Sequence, residues 1–118
     1  MQTPLDAAYS NLFAAKLAEM RPRFAATLAQ RLEEMEDTRD SNMILIDPAR
    51  AMGLFRHYAH KTAGLAATMG FPDLGVLCFA AESAVNRYMN NPALLPIALD
   101  AVDDMLGEMA LIVNDYTG

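Results

Sequence analysis

Four consecutive residues, Gly70-Phe71-Pro72-Asp73, constrain this chain more than any others. They separate two apolar stripes of helical spacing. Gly70 can take the left-handed position that ends a helix, Pro72 forbids its continuation, and Asp73 can cap the next helix. So short a connection forces the two helices to lie antiparallel. The first starts at Asp47-Pro48, with Asp as N-cap and Pro at the first helical position. Its stripe is Ala51, Phe55, Tyr58, Thr62, Leu65, Ala66 and Met69. The second carries Leu74, Leu77, Cys78, Ala81, Val85 and Tyr88, and Asn90-Asn91-Pro92 breaks it.

The flanking segments are helical in period as well. Leu5, Ala8, Tyr9, Leu12, Phe13 and Leu17 mark a short N-terminal helix ending near Glu19. Pro22 predicts a restart, because proline is accepted in a first turn and not mid-helix. Phe24, Leu28, Leu32 and Met35 continue from there into a solvated acidic stretch, Glu33 to Asn42. Met43 to Ile46 is a packed connector, too short and isolated to be a strand. A last helix begins near Leu94 to Pro96 and buries Val102, Met105, Leu106, Met109 and Ile112 or Val113. Abundant Ala, Leu and Met favour helix. The expected fold is all-α: an antiparallel up-down four-helix bundle with a short additional N-terminal helix. The 118 residues read as a single domain, 1–118, standing alone.

Composition excludes several classes. The net charge of −6 argues against a nucleic-acid partner. Cys78 is the only cysteine, which leaves no internal disulfide, and its place on the buried stripe makes it a small core residue. No signal-peptide pattern and no apolar run of about 20 residues is present, so a cytoplasmic protein without a membrane span is expected. The charge is uneven, however. From Pro48 to Pro72 there is no Asp or Glu, while Arg50, Arg56 and Lys61 are present. That segment suits an acidic partner or a bound anion.

His60 lies in this basic segment, about 160° from the middle of its helix's apolar stripe at 100° per residue. A histidine there has no packing role. Its helical neighbours are Gly53, His57, Gly64 and Ala67, three of them Gly or Ala. Each glycine costs a helix interior about 1 kcal/mol relative to alanine. The pattern clears space for something large to reach an imidazole, a good nucleophile near neutral pH. A phosphoryl group held on such a nitrogen can be passed on to an aspartate across an uncrowded surface. His57 and His60 are one turn apart, but two ligands alone make a poor metal site, and no metal is expected.

The run His60-Lys61-Thr62-Ala63-Gly64, with Gly70-Phe71-Pro72-Asp73 after it, resembles the histidine-containing phosphotransfer (Hpt) domains of two-component phosphorelays. That family carries a phospho-accepting His, a Gly four residues later, and a second Gly opening the turn. His60, Gly64 and Gly70 match those positions. The resemblance implies that His60 accepts and donates a phosphoryl group, exchanging it with the aspartate of response-regulator receiver domains or a hybrid histidine kinase. The small residues Gly53, Gly64 and Ala67, with His57 at the rim, are then expected to shape the receiver-docking surface. Many members place a Lys three residues after the His, where this chain has Ala63. Charge support then falls to Lys61 or Arg56. No cofactor of the chain's own is expected, the partner receiver supplying Mg²⁺. No Gly-rich phosphate loop is visible, so ATP-dependent kinase activity is not expected. A monomer follows if the four helices close within one chain. Two alternatives stay open. One is a dimeric phospho-acceptor domain resembling that of a histidine kinase, which pairs two helical hairpins from two chains. The other is a non-catalytic helical interaction module in which His60 is incidental.

Overall fold

The computed structural model describes residues 3–117. Its helices are α1 (Pro4–Asp40), α2 (Met43–Ile46), α3 (Pro48–Ala66), α4 (Pro72–Asn90) and α5 (Leu95–Thr117), with a 3-10 turn at Pro92–Leu94 before α5. The described residues contain no strand. α3 packs on α4, α4 on α5, and α1 closes the ring against α5 and α3. Successive long helices run antiparallel, as the up-down bundle requires. Arg21 reaches Met69 while Arg31 reaches Thr62, so α1 and α3 run in opposite directions. Arg39 grips Asp103 through two hydrogen bonds of 2.8 and 3.0 Å, tying the end of α1 to the start of α5.

The N-terminal segment is helical, but it is not a separate element. α1 runs unbroken through Pro22 for 37 residues. The proline deprives the Ala18 carbonyl of its i→i+4 donor. Both Ala18 and Pro22 are exposed, so water can serve that carbonyl and no restart is needed. Thr3 and Asp6 form a reciprocal capping box at the start of the helix. The connector Met43–Ile46 is one helical turn. Met43 and Ile44 pack against the core, whereas Leu45 and Ile46 face outward.

The α3 start is as the sequence predicts. Asp47 caps it, accepting from the Arg50 N–H at 3.1 Å, and Pro48 follows. Its end is a left-handed turn at Gly70, with φ of +92°, and the Phe71 N–H bonds the Ala66 carbonyl at 2.8 Å. The α4 N-cap is Phe71, and Asp73 lies inside the first turn instead of capping it. There its charge still faces the positive end of the helix dipole.

The buried stripe of α3 is Ala51, Met52, Phe55, Ala59, Thr62 and Ala66. Met52 and Ala59 join it as fully buried residues, and Leu65 is left partly exposed at the edge of a groove that it lines with Met20, Phe24 and Arg31 of α1. Thr62 is the only buried polar side chain among the described residues, and Arg31 donates to its hydroxyl at 3.1 Å. Met35, Met52, Met69, Met105 and Met109 fill the core with Leu28, Phe55, Leu74 and Val85. Phe71 stacks on Phe24 and meets the edge of Tyr116, sealing the end of the bundle.

Candidate functional site

The α3–α4 hairpin positions the site by a simple register. Its axis passes through Phe71, so residues equally far from Phe71 lie side by side. His60 and Glu82 are each eleven positions away, and they touch. Arg56 and Asn86 are each fifteen away, and they are hydrogen-bonded at 3.1 Å. The antiparallel turn therefore carries a carboxylate from α4 to the histidine of α3.

The His60 side chain is 74% exposed. Its Nδ1 lies 2.9 Å from Oε1 of Glu82, which is three-quarters covered. An ionised carboxylate can only accept, so Nδ1 is the protonated nitrogen and donates to it. With Nδ1–H donating to Glu82, the lone pair of the uncharged form lies on Nε2, which makes no hydrogen bond among the described residues. The segment around His60 carries no acid of its own, and the tertiary structure supplies one. Sequence reasoning missed Glu82 by looking only along α3. Counting outward from the turn would have found it.

A hollow of about 500 Å³ opens beside the ring, lined by Gly53, Arg56, His57, Glu82 and Asn86. Arg56 contributes to this hollow with its guanidinium held by Asn86. Lys61 is exposed, lies outside the hollow, and points about 100° further round the helix. His57 lies on the rim, its ring 5.4 Å from that of Tyr58. A Cβ added at Gly53 or Gly64 would meet nothing within 4 Å, so both face open space. Ala67 is on the same face and borders an apolar depression with Ala63, Gly75, Val76 and Phe79. Val76 and Phe79 are each 68% exposed there. Gly70 stands apart from this surface and shapes the turn. Arg21 donates to the Met69 carbonyl beside it at 2.7 Å, and a Cβ on Gly70 would lie 2.8 Å from Nη2 of Arg21.

An exposed imidazole with one nitrogen fixed by a carboxylate and the other open can act as a nucleophile toward a large partner. Among the described residues, no three of His, Cys, Asp and Glu come together as a metal ion would need. No described helix is long and apolar enough to cross a membrane. A protein-family model, described as Hpt domain, matches residues 19–111, which include every residue of the hollow. No curated protein and no solved structure matches the chain.

Proposed function

The chain belongs to the Hpt domain family, whose members carry out histidine phosphotransfer in phosphorelays, and from that premise we propose that His60 is the phosphoryl-accepting residue. The observation that carries this reading is the exposed ring held through Nδ1 by Glu82. Nε2 attacks the phosphorus of an aspartyl phosphate on a receiver domain. The new N–P bond forms as the P–O bond breaks, and the aspartate carboxylate leaves with the electron pair. The ring gains positive charge in this step, which the Nδ1–H···Glu82 hydrogen bond stabilises. The reverse reaction returns the phosphoryl group to a receiver.

Gly53, His57, Gly64 and Ala67 form the docking face, on which a receiver can approach without meeting bulky side chains. Val76 and Phe79 extend that face with apolar surface. Arg56 is the better placed charge partner in the absence of a lysine at Ala63, since it lines the hollow and Lys61 does not. The receiver brings the Mg²⁺ that neutralises the transferring group. Four helices close within one chain, so a second copy is not needed to complete the bundle.

The test incubates the protein with a phosphorylated receiver. An acid-labile, base-stable adduct is expected, and it should vanish in His60→Gln. Glu82→Gln should transfer about tenfold more slowly, since a hydrogen bond to a charged group contributes about 1.5 kcal/mol and each 1.4 kcal/mol is about tenfold in rate. Arg56→Ala should shorten the phosphohistidine lifetime more than Lys61→Ala. An adduct that survives His60→Gln, or none with any of several receivers, overturns the reading.

A further inference from the structure

The first half of α1 carries an apolar stripe that no other described residue covers. The first α1 side chains to pack against the core are Leu17 and Met20. Before them, Leu5, Tyr9, Leu12 and Phe13 are 64%, 64%, 68% and 62% exposed. At 100° per residue these four fall within about a 100° arc. Residues 3–18 also precede the stretch, 19–111, that matches the family.

We infer that this stripe pairs two copies of the chain, with the N-terminal halves of their α1 helices antiparallel. Area favours the pairing. Four side chains of about 200 Å², two-thirds exposed, present roughly 500 Å² per copy. Two copies together reach the roughly 1,000 Å² that a specific interface needs.

Charge sets the direction. The segment carries Asp6 and Lys16, and Lys16 also lies 3.7 Å from Glu19 one turn on, an exposed pair. Parallel pairing would set each charge against its own copy. Antiparallel pairing about residue 11 brings Asp6 level with Lys16 of the second copy, and Tyr9 level with Phe13. It also opposes the two helix dipoles. The same register ends where the bundle begins, since it sets Leu5 level with Leu17, the first of these residues to pack against the core. Before Leu17 the segment has one basic residue and one acidic one, so it carries no net positive charge to draw it to an anionic lipid surface. The expectation of a monomer considered only the bundle. This contact lies beyond the bundle, so separating the copies leaves each four-helix core intact, unlike a kinase-type dimer whose helices are shared.

Sedimentation equilibrium on the full chain tests the pairing. At about 100 μM the mass should approach twice the 12.9 kDa of one chain. Leu12→Glu should return it to the single-chain mass while keeping a cooperative thermal transition, and its midpoint, unlike that of the wild type, should not rise with protein concentration. Lys16→Glu should raise the dissociation constant several-fold. A single-chain mass at about 500 μM overturns the pairing, as does a dimer that survives Leu12→Glu. Flotation of a single-chain species with phosphatidylserine vesicles would assign the stripe to a lipid surface instead. A Lys16→Glu variant that pairs as tightly as the wild type overturns the antiparallel register.

Discussion

A carboxylate 2.9 Å from Nδ1 decides which nitrogen of His60 keeps its lone pair. The residue itself is legible in the sequence, because an off-stripe histidine among glycines has no packing role. Its protonation partner is not legible along α3, because it arrives from another helix. Cys78 shows the converse. Its place on an apolar stripe was enough to predict burial, and it is fully buried. Burial pushes its thiol up to about 12. The native thiol should therefore resist a disulfide reagent at about pH 8 and react fully once the protein is denatured. The fold holds a proton that the unfolded chain releases, so this residue's contribution to stability is lost as pH rises from the ordinary thiol range toward 12. Urea titrations at pH 8 and above 9 should show that fall, and Cys78→Ser should remove it.

At the scale of the element, glycines of one sequence segment divide by what surrounds them. Gly53 and Gly64 sit in helix with open space where a Cβ would go. Gly53→Ala and Gly64→Ala should each raise stability by about 1 kcal/mol in urea denaturation. Gly64→Leu should retain its stability yet slow phosphotransfer, since the side chain projects into the open space of the proposed docking face. Gly70→Ala should instead lose about 1–2 kcal/mol, because φ of +92° strains any residue with a Cβ. Periodicity and punctuation revealed α3, α4 and the turn between them, though α3 ends at Ala66 and Phe71, not Asp73, is the α4 N-cap. They misread Pro22, because the cost of a helical proline depends on whether its orphaned carbonyl is solvated. That exposure is settled by which face the neighbouring helices cover.

For the whole molecule, the uneven charge distribution has a kinetic consequence. The chain is acidic overall, while α3 carries Arg50, Arg56 and Lys61 and no acid. A receiver with an acidic pocket would be steered to that helix, and the rest of the surface would repel it. Raising ionic strength from about 0.05 to 0.5 M should lower the second-order rate of transfer severalfold, with little change in the rate within the bound complex. Stopped transfer assays at several salt concentrations measure both. The sequence by itself determined the helices, the antiparallel hairpin, the outward histidine and the small residues around it. Those follow from local rules: spacing, capping and the backbone limits of Gly and Pro. The tertiary structure alone decided that Glu82 meets His60, that Arg56 is held in the hollow by Asn86, and that the first half of α1 runs past the bundle with its apolar stripe uncovered. Such pairings join residues 22 and 30 positions apart. Only the packing of one helix against another brings them within hydrogen-bonding distance.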